Sequence, residues 1–334
     1  MNVLRARRLA MGLSQADVAA ATGLSRQLVS AVESGRNVPS VAAALALAGV
    51  LQSEVADLFA DTASTTWEPI LGRAPEPGTP VRAVRVGRRG VYLPLPHGGA
   101  SAEGWQAADG MVVGDGVDIF DERALQGIVV AGCDPVLRLV SELLPEAGPR
   151  RLVNVQATSV EAARALHRDR LHAAVVHGTP ERLATPTPRS RSHPVARWRV
   201  GLAARSQTAL DLERIASGEV TIAHRPLGAE AEKALGRAMA PFGGVAALSG
   251  VVASGHIAGA RRAYEGSVDV ALTMEPAASA FRLEFEPLEE HTVEIRVDER
   301  WIDHPGITSL LDLFGSPLLG RRLGVLGGYE LLTR

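Results

Sequence analysis

The chain has 334 residues, a formal net charge of −2, 46% hydrophobic and 22% charged residues, and one cysteine. That length suggests two or three domains with a sizeable core, which excludes a disulfide-stapled miniprotein, and the composition excludes global disorder. The near-zero net charge excludes bulk attraction to nucleic acid, so any DNA-binding surface must be local.

Residues 2 to 59 show apolar positions at helical spacing, punctuated by Gly12, Gly23 and Gly35, and read as a compact all-α unit. The longest apolar run, residues 41–51, is about half of the ~20 residues needed to span a bilayer. The N-terminus MNVLRARRLAMGLS has no apolar signal-peptide core. A cytoplasmic, reducing location and no membrane partner are expected, consistent with the unpaired Cys133. Pro69, Pro75, Pro77 and Pro80 predict a linker over 61–80. Short β-like runs between Gly-rich turns predict a small β-rich connecting element over 81–126.

From 127 to 334, strands alternate with helices, the pattern of an α/β layer with a mostly parallel sheet. Strand ends are predicted at Gly132-Cys133-Asp134-Pro135, at Thr158-Ser159, at His177-Gly178, at His224-Arg225 and at Met274-Glu275-Pro276. Such junctions place side chains at the C-terminal edge of a sheet, where helix N-termini and loops converge on ligands.

The most specific local signal runs from Leu13-Ser14-Gln15 through Thr22-Gly23-Leu24-Ser25-Arg26-Gln27 to Glu33-Ser34-Gly35-Arg36. Two short helices that cross need a small residue, supplied by Ala19, and a glycine at the turn, supplied by Gly23. Ser14 and Ser25 stand at the cap positions. Residues 1–37 carry a charge of +3 and the remainder −5, so the basic character is confined to this head. These residues resemble the Xre/Cro family of helix-turn-helix repressors. The resemblance implies Gln15 at the phosphate backbone and Arg26, Gln27 and Ser30 toward base edges, Arg suiting guanine and Gln adenine, with the capping Ser25 among the DNA-binding residues. Arg5, Arg8 and Arg36 are expected to face phosphates. Glu33 would be repelled there and is expected to bond Arg36 or a helix end. A helical protein-interaction module with a solvated arginine face is the alternative.

The larger part, from Ala131-Gly132-Cys133-Asp134-Pro135 through Trp198 to Leu202, Ser254-Gly255-His256 and Leu283 to Glu290, resembles the periplasmic-binding-protein-like domain found fused to helix-turn-helix regulators. That domain is related to molybdate-binding proteins. The resemblance implies two α/β lobes joined by crossing strands, with ligand in the cleft. The fold class expected is therefore multidomain: a helix-turn-helix head over 1–60, the linker, the β element and a bilobal α/β sensor.

Candidate ligand-binding residues are Cys133, Asp134, Ser159, His177, Arg225, His256 and Glu275. Cys133 and Asp134 fall at a predicted helix N-terminus, which favours anions and lowers a thiol pKa. Packing for Cys133, and capping for Asp134, Ser159 and Glu275, are the plainer alternatives. The resemblance implies an arginine where this chain has Glu232, a departure that bears on any oxyanion. A molybdate-type effector rests on resemblance only, and the acidic residues suit a neutral or cationic ligand as well. No Ser-His-Asp elbow, P-loop, HExxH or CxxC pair is present, so neither enzymatic activity nor a metal site is expected. The expected function is a ligand-responsive regulator binding operator DNA as a homodimer or higher oligomer. A redox switch at Cys133, or an enzyme or cofactor-binding protein using the cleft, is the alternative.

Overall fold

The computed structural model describes residues 3–34, 36–53, 55, 58, 66–101, 104–183, 186–244 and 248–332, and it divides into two compact units, Met1–Thr65 and Thr66–Arg334. Gly35 and residues 61–65 of the expected linker lie outside the described residues.

The first unit contains α1 (Val3–Ala10), α2 (Gln15–Thr22), α3 (Arg26–Glu33) and α4 (Val41–Val50). Three serines set the helix starts: Ser14, Ser25 and Ser40 accept from the backbone N–H of Asp17, Leu28 and Ala43. Asp17 returns the bond to Ser14, a reciprocal cap that satisfies two otherwise orphaned donors. Helix α2 ends on Gly23 at φ 70°, a left-handed conformation that a side chain resists. Leu4, Val18, Val29, Val32, Leu47 and Leu51 close the core.

The second unit opens with β1 (Trp67–Pro69), β2 (Pro80–Val86), β3 (Arg89–Pro94), a two-stranded pair β4 (Ala100–Ser101) and β5 (Gly104–Trp105), then β6 (Gly110–Val113) and β7 (Gly116–Ile119). Strands β1, β3, β2, β6 and β7 form one sheet in that order. Part of the expected linker is thus structural. Strand β1 pairs parallel with β3, and the Trp67 ring occupies the space that a Cβ at Gly90 would fill. Pro69 is tolerated because β1 is an edge strand. This sheet is no free connector either, since Ile70, Val84 and Val91 share a core with Val129, Val153 and Ala162. The buried Arg151 ties the two parts further through Asp109 at 2.6 Å and the carbonyl of Ala124 at 2.8 Å.

The main sheet comprises β8 (Ile128–Gly132), β9 (Leu152–Gln156), β10 (Ala173–Gly178), β11 (Ser190–Ala204), β12 (Ile222–His224), β13 (Gly250–Val252), β14 (Val270–Met274), β15 (Glu284–Asp298) and β16 (Glu330–Leu331). Its order is β13-β12-β14-β11-β15-β10-β8-β9, with β16 on β11. Helices α5 (Val136–Glu142), α6 (Ser159–His167), α7 (Leu212–Ala216), α8 (Glu230–Met239), α9 (His256–Glu265), α10 (Glu275–Ala280), α11 (Pro305–Phe314) and α12 (Pro317–Gly324) complete the unit.

Strands β9, β8 and β10 are mutually parallel, as are β13, β12 and β14. Between these triplets run β11 and β15, antiparallel to each other and to their outer neighbours. Two parallel lobes joined by two long crossing strands is the bilobal architecture expected. Strand β8 is buried at every position, as a strand covered on both faces must be. No helix of the described residues is long and apolar enough to cross a membrane.

Candidate functional site

In the helical head, Arg26 and Gln27 are the first two residues of α3 and both are exposed, with Ser25 beside them and half-buried Ser30 a turn later. Arg26 and Ser30, together with Arg5, Ser14 and Gln15, border an open groove of about 640 Å³. Arg36 is exposed, its Nε donating to Ser34 Oγ at 2.8 Å. Arg8 departs from the expectation. It is only 6% exposed, it donates through Nε and Nη2 to Glu33 at 2.6 and 3.1 Å, and its Nη1 donates to the Leu13 carbonyl at 2.7 Å. Three of its five N–H groups are thus held inside the head, so Arg8 is first a structural residue although it also lines the groove. Glu33 therefore pairs with Arg8 and with Gln15 Nε2 at 2.7 Å, not with Arg36. Burial pushes the Glu33 carboxyl up, but the bonds from Arg8 and Gln15 outweigh it and hold it below its ordinary value.

In the second unit, the ends of β8, β10 and β12 and the start of α9 bring Cys133, His177, Arg225 and His256 into one buried cluster; each is at most 3% exposed. Cys133 and His177 come from one lobe, Arg225 and His256 from the other. Cys133 Sγ lies 2.8 Å from His177 Nε2, and His177 Nδ1 lies 2.9 Å from Nδ1 of His291 on the crossing strand β15. His291 Nε2 is 3.3 Å from Glu289, whose carboxylate receives two bonds from Arg237 at 2.6 and 2.7 Å.

The network assigns the tautomers. A carboxylate only accepts, so His291 donates from Nε2 and accepts at Nδ1. His177 then donates from Nδ1, leaving Nε2 with its lone pair toward the Cys133 thiol. Burial holds the pKa of His177 and His256 well below the ordinary value and lowers that of His291, so the three imidazoles are neutral. Burial also pushes the Cys133 thiol up to about 12. The thiol pKa lowering expected from a helix N-terminus is thus reversed, because desolvation outweighs what the adjacent Arg225 charge and a backbone bond supply. A buried thiol of this kind is a poor nucleophile and a poor redox sensor.

The other expected ligand residues serve the framework. Asp134 accepts from Val136 N–H at 3.0 Å, Trp198 Nε1 at 3.0 Å and the Tyr329 hydroxyl at 2.7 Å, tying the β8–α5 turn to β11 and to the segment before β16. Ser159 Oγ accepts the His177 N–H at 3.1 Å. Glu275 lies outside the cluster, paired with Arg199. Glu232 accepts from the Arg225 N–H at 2.8 Å and lies 3.0 Å from His224 Nδ1. Arg225 Nη1 donates to the Ala253 carbonyl at 2.8 Å, leaving Nε without a partner among the described residues.

Neither ring nitrogen of His256 has a hydrogen-bond partner among the described residues, although both are buried. One ligand atom from each of Cys133, His177 and His256 lies within 4.8 Å of the others, a metal-competent grouping that the sequence did not lead us to expect. Trp198 and His291 were missed as well. Trp198 packs among the three histidines in tilted and edge-on contacts, at 4.7 Å from His177 and 5.5 Å from His256 and His291 between ring centroids. His291 carried a readable signal: with Val293, Ile295 and Val297 it keeps period-two spacing on the buried face of β15.

A family model described as helix-turn-helix matches residues 4–58, and one described as a PBP superfamily domain matches residues 141–315. No curated protein matches the sequence. Among solved structures, the chain is similar to the regulatory domain of MetR, a LysR family regulator from N. meningitidis, at 14% identity and a TM-score of 0.45 over 61% of this chain and 97% of that one. It is similar to the cofactor-binding domain of the Cbl transcriptional regulator at 16% identity and a TM-score of 0.42, over 60% and 93% of the two chains. A third similar structure is an ABC-type phosphate transport receptor from Vibrio cholerae, at 9% identity and a TM-score of 0.42, over 62% and 100%.

Proposed function

Because the chain belongs to the PBP superfamily and carries a helix-turn-helix ahead of that domain, we propose that it is a cytoplasmic, ligand-responsive transcription regulator. The helical head reads double-stranded operator DNA, with Arg26 and Gln27 at base edges and Ser25, Ser30, Arg5, Gln15 and Arg36 around them. A single head reads few base pairs, so the protein acts as a homodimer on two half-sites about 34 Å apart. A small ligand held between the lobes changes operator affinity to the extent that it binds one conformation better than another.

The observation that carries the sensor reading is the buried cluster at the sheet's C-terminal edges. Both lobes contribute to it, and it retains an imidazole with neither nitrogen partnered among the described residues. Unsatisfied buried polar atoms cost ~1–3 kcal/mol each, and a ligand that engages them recovers that cost.

The reading is tested by selecting operators from random duplexes with the full-length protein and comparing Arg26→Ala/Gln27→Ala in a mobility-shift assay. Loss of two base contacts, at ~1–3 kcal/mol each, predicts an affinity loss of at least ~30-fold with helicity unchanged. Undiminished sequence-specific binding by the double variant refutes the assignment.

A further inference from the structure

We propose that Cys133, His177 and His256 form a three-ligand site for a single copper(I) ion that bridges the two lobes; this rests on the reading of the cluster as the sensor's ligand site. By geometry, an ion placed among three atoms that lie within 4.8 Å of one another sits no farther than about 2.8 Å from each. Formed sites have metal–nitrogen and metal–sulfur distances of about 2.0–2.3 Å, so shifts of about 1 Å complete this one: Cys133 Sγ and His177 Nε2, 2.8 Å apart while the thiol proton lies between them, part to admit the ion, and the wider separations close. The donors are already in the state a metal needs, apart from one proton. His177 presents the Nε2 lone pair, its Nδ1–H being held by His291. His256 has no competing partner among the described residues.

Donor type and charge select the ion. A thiolate with two imidazoles is a soft set that suits copper(I) and zinc(II), whereas carboxylate-rich sites suit harder ions. The cluster is buried beside the Arg225 guanidinium, which is itself 2% exposed. Copper(I) on a thiolate is neutral, whereas zinc(II) on a thiolate leaves a positive charge buried next to another, which low-polarity surroundings penalise. Copper(I) also accepts three ligands, while zinc(II) asks for a fourth. Binding replaces the thiol proton: Cys133–SH and Cu⁺ give Cys133–S–Cu and one proton released to solvent, with no change of oxidation state.

His291 is a positioning residue in this scheme. It touches no ion but fixes the His177 tautomer through its Nδ1 acceptor, with Glu289 and Arg237 behind it. Such outer partners are worth ~10–100-fold in metal affinity.

The test is anaerobic titration of the full-length protein with copper(I) against a chromophoric chelator, with zinc(II) and molybdate in parallel. The expected result is one copper(I) per chain with release of one proton. Cys133→Ser and His256→Asn should each weaken binding by ~100-fold or more, the upper end of what even an outer partner is worth. His291→Leu should cost ~10–100-fold, and His291→Asn, which restores an acceptor near Nδ1, should recover most of it. Each variant is first shown to give the wild-type metal-free unfolding midpoint, and one that does not is replaced by Cys133→Ala or His256→Gln. Binding that survives Cys133→Ser and His256→Asn overturns the proposal, as does zinc(II) bound in preference to copper(I). Stabilisation by molybdate without copper(I) binding also overturns it while leaving the ligand-responsive reading intact. Failure to recognise any operator both with and without copper(I) would strike that reading alone.

Discussion

His172, remote from the ligand cluster, is one of the buried histidines that make the sensor unit sensitive to acid. Its ring is 1% exposed and lies 5.0 Å from Trp301 and 5.4 Å from His304 between centroids; its Nδ1 accepts the Val129 N–H at 3.2 Å. Burial, helped by His304 and Arg300, lowers its pKa from 6.5 to about 3. In the unfolded chain His172 takes up a proton below pH 6.5, whereas in the folded protein it does so only near 3. Between those values unfolding therefore binds one extra proton, and stability falls as pH falls. At ~1.4 kcal/mol per pH unit, the window from 6.5 to about 3 withdraws roughly 5 kcal/mol, a large part of a typical domain's 5–15 kcal/mol.

His172→Asn keeps an acceptor for Val129 but cannot be protonated. Losing the ring contacts should cost about 2 kcal/mol at neutral pH. The two stability curves should then converge and cross near pH ~5, below which the variant is the more stable protein. Urea unfolding followed by tryptophan fluorescence measures this without interference from the head, because all four tryptophans, at 67, 105, 198 and 301, lie in the second unit. Contributions from groups that do not interact with residue 172 are the same in both proteins and cancel in the difference. Parallel curves from pH 7 to 4 would refute the argument.

Glu33→Ala strands the buried Arg8 guanidinium and should destabilise the head by ~3–5 kcal/mol. Hydrogen exchange should then accelerate in α1 and α3, and undisturbed protection there would contradict the pairing. Gly201→Ala places a Cβ 2.1 Å from the Glu286 carbonyl oxygen and 2.9 Å from the Pro287 Cα, backbone that cannot step aside. A loss of at least ~1–3 kcal/mol in thermal unfolding is expected, and a wild-type midpoint would count against the close approach. Asp134→Ala leaves the Trp198 and Tyr329 donors buried without their acceptor; a loss of roughly 3 kcal/mol by urea titration is expected, and a loss under ~0.5 kcal/mol would show that they find others.

What was legible in the sequence is what local rules govern. Ser14, Ser25 and Gly23 mark helix ends because capping acts within three or four residues, and the buried run of β8 marks a covered strand because its neighbours need no long-range information. The fate of Arg8 was not legible. Its amphipathic helix position fits phosphate as well as it fits burial, and only the arrival of Glu33, 25 residues away, decides between them. Cys133 illustrates the same limit: its place before a helix argues for a reactive thiolate, and the enclosure supplied by the opposite lobe reverses that. The candidate cluster is assembled from chain positions 133 to 291, so its members were individually visible at strand ends while their meeting was not. His291 reads as a packing residue because it keeps the period-two spacing of a buried strand face, and no neighbouring residue in the chain marks it for chemistry.

The crossing strands have a mechanical consequence. The register between β11 and β15 slips twice, between Pro194 and Ala196 and between Val200 and Gly201, and within the short span so bracketed Trp198 lies directly opposite His291. Irregularities of this kind bend a strand and weaken its ladder. The ladder that joins the lobes is therefore locally interrupted on both sides of the cluster's own aromatic rings. A contact that shifts Trp198 or His291 therefore acts between the two places where the pairing of the crossing strands is interrupted.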